Sequence, residues 1–167
     1  MPIVNDIALS LGSNMGDRLA NLSLAIDLLR SSEIVSKVVT SSIYESEPVG
    51  ETNQGNFLNL CLSGKSEHTA FELLGFVKSV EHYVGRQIRK RWHEREIDID
   101  IIFLGDLVIQ KPNLVIPHER MHERRFVLEP LAEILPNKIH PIFGVTVQNL
   151  LDKCSDKSQV KFFKSII

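Results

Sequence analysis

Apolar residues alternate with small or polar ones over Ile7–Leu11 (IALSL), the period-two pattern of a strand, and Gly12-Ser13-Asn14 closes it. From about Asp17 to Arg30 the period changes, and Leu19, Leu22, Ile26 and Leu29 form one stripe of an amphipathic helix. Val35–Glu47 is rich in β-branched residues and reads as one long strand, before Pro48-Val49-Gly50 opens a polar loop. Phe57–Ser63 (FLNLCLS) alternates again, with Leu58, Leu60 and Leu62 on one face and Phe57, Asn59 and Cys61 on the other. Thr69 followed by Glu72 is a capping-box signature for a second helix. Its stripe is Leu73, Val77, Val80 and Val84, and Gly85 suits its C-terminal end.

Residues 86–95 (RQIRKRWHER) follow neither period and read as a loop. Ile97–Leu104 (IDIDIIFL) reads as a strand, and Gly105-Asp106 as a tight turn into a partner strand at Leu107–Ile109. Pro112 and Pro117 punctuate the next loop. Short helical patterns follow near Glu123–Ile134, interrupted by Pro130, and near Val145–Lys153; the final QVKFFKSII suggests an edge strand. The order β-α-β-β-α-β predicts a split βαβ arrangement, the ferredoxin-like α+β class, with a β-hairpin extension and short C-terminal helices. With no repeat, low-complexity segment or linker, residues 1–167 read as a single domain whose tail, 155–167, has no assigned role.

Composition narrows the function classes. At 43% apolar with two cysteines, the chain is neither intrinsically disordered nor a disulfide scaffold. No apolar run approaches the roughly 20 residues of a membrane span, and no basic segment precedes an apolar stretch at the N-terminus. A cytoplasmic protein without membrane partners is the expectation. The net charge of −2 conceals an uneven distribution: residues 1–85 hold 5 basic and 10 acidic side chains, whereas 86–125 hold 9 and 7. Nearly half of the Lys and Arg residues therefore fall within one 40-residue stretch, which on charge alone reads as a solvated surface.

That stretch contains the candidate chemistry. Period-two spacing puts Asp98 and Asp100 side by side on one strand face, with Ile97, Ile99 and Ile101 on the other. Two such carboxylates repel unless a dication or arginines lie between them. A solvated edge strand would show the same alternation. The preceding loop, however, supplies Arg86, Arg89, Lys90, Arg91 and Arg95 around Trp92, and guanidinium forks match phosphate oxygens. Acidic strand and basic loop together describe a Mg-nucleotide site. A second basic group spans His118–Arg125; Pro117 and the lack of a third ligand argue against zinc there. Gly64-Lys65-Ser66 mimics the end of a P-loop but lacks its first glycine, since position 59 is Asn. Phe57, Asn59 and Phe126 are the residue types that stack on and edge-bind a flat heterocycle, although their spacing alone does not bring them together.

Several of these stretches also resemble one family. LGSN at 11–14, ESEPVG at 45–50, FLN at 57–59, RWHEREIDIDII at 91–102, IPH at 116–118 and RRFVLEPL at 124–131 resemble the 6-hydroxymethyl-7,8-dihydropterin pyrophosphokinases of folate biosynthesis, over about residues 7–153. The resemblance implies transfer of pyrophosphate from ATP to the dihydropterin, releasing AMP, on a ferredoxin-like fold. It implies two Mg²⁺ ions on Asp98 and Asp100, with Arg86 and Arg95 as catalytic arginines. Glu81, Arg89, Trp92, Arg95, Ile101, His118 and Arg124 match positions on the ATP side. Ser46, Val49, Gly50, Phe57, Asn59, Asp98 and Phe126 match positions on the pterin side. Loops 46–56 and 85–95 would be mobile lids, and a neighbouring folate enzyme a possible partner. His93-Glu94 and Lys78 depart from the family pattern, as does Phe57, where a tyrosine is common. Two other readings compete. A ferredoxin-like RNA-binding module would show an aromatic run on its sheet, which is missing, and another Mg-nucleotide transferase would lack the Phe57/Asn59/Phe126 set.

Overall fold

The structure, a computed structural model, describes residues 1–50, 53–85 and 95–166. In chain order these form strand β1 (Asn5–Ser13), helix α1 (Arg18–Ser31), strands β2 (Ser36–Thr40), β3 (Ile43–Ser46) and β4 (Phe57–Ser66), and helix α2 (Ala70–Val84). Strands β5 (Asp98–Leu104), β6 (Ile109–Lys111) and β7 (Leu114–Ile116) follow. The chain ends with helices α3 (Arg125–Ile134) and α4 (Val147–Asp152) and strand β8 (Val160–Lys164).

The main sheet runs β5-β1-β4-β3-β8, with β2 beside β3 on β4, and every pairing is antiparallel. β4 lies between β1 and β3, the strands joined through α1, and β1 lies between β4 and β5, the strands joined through α2. Each βαβ unit is therefore split by a strand of the other, the α+β ferredoxin-like arrangement expected from the element order.

Alternation along the strands divides the sheet into two faces. Ile7, Leu9 and Leu11 of β1 join Leu58, Leu60 and Leu62 of β4 and Ile97, Ile99 and Ile101 in a core roofed by α1 and α2. The opposite face carries a smaller core, in which Ala8, Cys61, Ile102 and Phe103 meet Val127, Leu128 and Leu131 of α3. α1 starts where the Asp17 carboxylate accepts from the Ala20 N–H, and α2 where Thr69 and Glu72 close the expected capping box.

Four features differ from the sequence expectations. The long strand over 35–47 is broken at Ser41-Ser42. There the Ser41 hydroxyl accepts from the Cys61 N–H at 2.9 Å, and the Glu133 carboxylate accepts from both the Ser42 N–H and its hydroxyl. Side chains thus take over hydrogen bonding that the ladder would otherwise make. The residues after Gly105-Asp106 do not return along β5. Instead β6 pairs with β7 across Pro112-Asn113, a turn whose proline pre-sets the backbone angle. α3 runs through Pro130, which lies buried. Lastly, the β1–β5 register shifts at Ala8/Leu9, which pair with Phe103 and Ile101, so Ile102 is an extra residue and a β-bulge. Ile102 and Phe103 consequently share one face. The P-loop look-alike Gly64-Lys65-Ser66 is the end of β4, not a phosphate-binding loop.

Candidate active site

The face opposite α1 and α2 is only partly covered by α3, and the uncovered part is a cleft of about 270 Å³. Its floor is Ser10 and Gly12 of the central strand β1. These two small residues leave a trough between taller neighbours. Asp98 is registered opposite Gly12 and Asp100 opposite Ser10 on the β5 side; Asn59 is registered opposite Gly12 on the β4 side. The closeness is measurable, since a Cβ added at Gly12 would lie 3.1 Å from Asn59 Oδ1 and 3.3 Å from the Phe57 ring.

The β4 wall is Phe57 and the buried Asn59, whose amide donates to the Ser46 hydroxyl at 2.7 Å. Glu47 and Val49 form the lip beyond β3. Phe126, in the first turn of α3, closes the cleft from above, with the Arg124 guanidinium 5.7 Å from its ring centre. Arg95 and His118 complete the lining.

The electrostatics centre on the paired aspartates. Burial, reinforced by the charge of Asp98, pushes Asp100 up to about 7, while Lys78 and Arg124 pull it back. His118 Nε2 lies 3.8 Å from Asp100 Oδ2. Its Nδ1 accepts from the Arg120 N–H at 3.2 Å, which places the neutral ring's proton on Nε2. Burial, with Arg124 beside it, lowers His118 to about 4, so it is neutral near pH 7. Among the described residues, no three or more His, Cys, Asp or Glu side chains gather into a metal cage. Two adjacent carboxylates facing an open cleft instead suit Mg²⁺, which takes one or two carboxylates and fills its remaining positions with phosphate and water. Such an ion would offset the charge of Asp98, which adds to burial in raising Asp100.

Of the residues singled out in the sequence, the cleft brings together Ser46, Val49, Phe57, Asn59, Arg95, Asp98, Asp100, His118, Arg124 and Phe126. Gly50, Glu81 and Ile101 are not among its lining side chains. Ile101 points into the core under the helices. Glu81, buried on α2, accepts from the Ile99 N–H at 2.8 Å and pairs with Lys78 at 3.0 Å, so it steadies β5 from behind. Burial raises its carboxyl, and Asp98 adds to the effect against Lys78 and the Ile99 N–H. Arg86, Arg89 and Trp92, with Lys90 and Arg91, lie outside the described residues. Sequence reasoning did not single out Ser10, Gly12 or Glu47. The small residues alternating with Leu9 and Leu11 were the available signal for the first two.

Asn14, just after β1, joins the two loops that flank the cleft. Its N–H donates to the Arg95 carbonyl at 3.0 Å, and its Oδ1 accepts from the Arg95 N–H at 2.7 Å. Its amide nitrogen donates to Gln54 Oε1 at 3.0 Å and to the Gly55 carbonyl at 3.2 Å. Arg18 adds a tie on the same side, donating to Glu45 and to the Asn56 carbonyl.

Residues 8–136 match the family model described as 7,8-dihydro-6-hydroxymethylpterin-pyrophosphokinase (HPPK). The 2-amino-4-hydroxy-6-hydroxymethyldihydropteridine pyrophosphokinase of Aquifex aeolicus is 45% identical over 137 residues, covering 82% of this chain and 84% of that protein. The bifunctional protein FolKE of Lactococcus lactis is 43% identical over 151 residues, or 90% of this chain and 43% of that longer one. The fold is that of the crystal structure of a Plasmodium falciparum HPPK-DHPS triple mutant, with a TM-score of 0.70 at 16% identity; the match covers 90% of this chain and 43% of that one. The chain belongs to the 7,8-dihydro-6-hydroxymethylpterin-pyrophosphokinase family.

Proposed function

We infer that this protein transfers the pyrophosphoryl group of ATP to the hydroxymethyl oxygen of 6-hydroxymethyl-7,8-dihydropterin, a step of folate biosynthesis. The observation that carries the reading is one cleft with paired aspartates on one side of a floor of small residues and an amide with two phenyl rings on the other. The hydroxymethyl oxygen attacks the β-phosphorus and gives up its proton. The bond from that phosphorus to the α–β bridging oxygen breaks, and AMP leaves.

The pterin ring lies between Phe57 and Phe126, its edge read by Asn59. Because the Asn59 amide nitrogen is held by Ser46, its oxygen is left to accept from a ring N–H. Asp98 and Asp100 would hold Mg²⁺, which when bound supplies neutralisation and orientation of the phosphate oxygens. His118, neutral and carrying its proton on Nε2, donates to the phosphates without competing for the aspartates. Arg95 and Arg124 bring fixed positive charge to the transferred group. Arg86, Arg89 and Trp92 are assigned to the same side on the family pattern, as are Glu81 and Ile101, whose side chains lie on the helix side of β5 rather than in the cleft. Gly50 is placed at the pterin edge in the same way.

No helix among the described residues is long and apolar enough to cross a membrane, and we place the enzyme in the cytoplasm. The Lactococcus relative is one longer bifunctional chain, which supports association with a neighbouring folate enzyme.

The decisive assay follows adenine nucleotides from Mg-ATP with and without the pterin. AMP formed only when pterin is present is the expected result; ADP, or product independent of pterin, would refute the assignment. A second test probes the floor. Gly12→Ala inserts a methyl against Asn59 and Phe57, and is expected to raise the pterin KM about ten-fold, on the order of the 1–3 kcal/mol of an overpacked site. An unchanged KM would show that the pterin lies elsewhere.

A further inference from the structure

Residues after Asp152 lie beyond the stretch matched by the family model, which ends at residue 136. They nevertheless tie together the elements that form two walls of the cleft. On one side β8 pairs with β3, placing Val160 opposite Ser46 and Phe162 opposite Tyr44, with those two rings edge-on at 6.3 Å. β3 presents Ser46 to Asn59 and leads into the lip at Glu47 and Val49.

On the other side the segment reaches the start of α3. Arg124 occupies the cap position of that helix, and its side chain makes no capping hydrogen bond. Asp156 supplies the acceptor from a distance: its Oδ2 takes the Arg125 N–H at 3.0 Å, and its carbonyl takes the Arg125 Nε–H at 2.8 Å. A carboxylate here also faces the positive end of the helix dipole. Arg125 is braced in turn by Glu129 at 2.9 Å. Asp156 is itself fixed, since its Oδ1 accepts from the Ser158 N–H at 2.9 Å and from the Ser158 hydroxyl at 2.5 Å. Burial works to raise this carboxyl, but the bonds from Ser158 and Arg125 outweigh it and hold the group below the usual range.

We propose that residues 154–164 form a strap that fixes the two walls of the cleft relative to each other, with Asp156 a positioning residue for Phe126. The proposal rests on the reading of Ser46 and Phe126 as pterin contacts. Neither Asp156 nor Val160 lines the cleft, so the strap acts only through α3 and β3. The aspartates on β5 are held independently, by pairing with β1 and by Glu81. Loss of the strap should therefore weaken pterin binding more than it slows the chemistry.

The test is steady-state kinetics of the full chain, with hydrogen exchange of the free protein. Asp156→Ala is expected to raise the pterin KM about five-fold, the scale of losing one helix cap, with kcat changed less than about two-fold. Exchange at the amides of residues 125–128 is expected to quicken. Asp156→Asn keeps an acceptor that caps helices about as well, and should bring KM back to within about two-fold of the parent. An unchanged KM in Asp156→Ala, even with a lower melting temperature, would overturn the positioning role. If the parent shows no pterin-dependent AMP, the functional reading fails on its own and exchange decides the strap, which unchanged rates at 125–128 would refute. If Asp156→Ala does not fold, Ser158→Ala removes one hydrogen bond to the carboxylate and should raise KM about two-fold, and no rise would overturn the proposal.

Discussion

Asp98→Asn and Asp100→Asn are each expected to lower turnover on the order of 10²–10³-fold while the fold persists. Either substitution removes a charged oxygen ligand from the pair that would face the nucleotide's metal, and neither removes an apolar contact. Asp100→Asn should also have an opposite effect on the metal-free protein. The folded-state value of Asp100, about 7, lies above its ordinary 3.8, so folding favours the protonated form. Its contribution to stability is full below about pH 4 and is lost as pH rises through about 7. In chelator, the parent and Asp100→Asn should therefore melt alike near pH 4, and the variant should melt higher at pH 8. Parent-level turnover in either variant would remove the aspartates from the mechanism. Equal melting at both pH values would show that Asp100 ionises freely in the fold.

The second large effect is expected at Asn14. Alanine there removes both amide donors and the side-chain acceptor, loosening Arg95 on one flank of the cleft, where the backbone bond to its carbonyl persists, and Gln54-Gly55 on the other. With each such bond worth about 1 kcal/mol net, kcat/KM should fall roughly a hundred-fold. Asn14→Asp keeps an acceptor for the Arg95 N–H but loses both donors, so it should fall between parent and alanine variant. That ordering, measured at saturating and limiting pterin, separates the two flanks. Normal kcat/KM in Asn14→Ala would show that the loops are held in place by other contacts.

Period two along β1, β4 and β5 was readable because each strand lies between two chemically unlike faces. Leu9 and Leu11 could only go under the helices, which sends Ser10 and Gly12 to the cleft. The carboxylates and the stacking residues were legible as types. Their convergence was not, because Phe57, Asp98 and Phe126 meet only through the sheet order and the return of α3. Local hydrogen bonding hid the rest. Ser41 and Glu133 break a run that propensity alone makes continuous, and Asn14 looks like a turn residue until its partners at 54, 55 and 95 fold against it. The tail gave a weak edge-strand signal, but nothing in its composition reveals that Asp156 ends beside Arg125.

The extra residue at Ile102 acts as a phase slip between two halves of one strand. Upstream of it, even-numbered positions point to the cleft; downstream, Phe103 takes that direction and Leu104 returns to the opposite core. The acid pair is thereby uncoupled from the apolar end. An insertion or deletion in the turn after Leu104 can alter the β6–β7 hairpin without rotating Asp98 and Asp100 out of the cleft. A deletion of Ile102 itself would restore strict alternation and leave Phe103 on the face it already shares with the acid half.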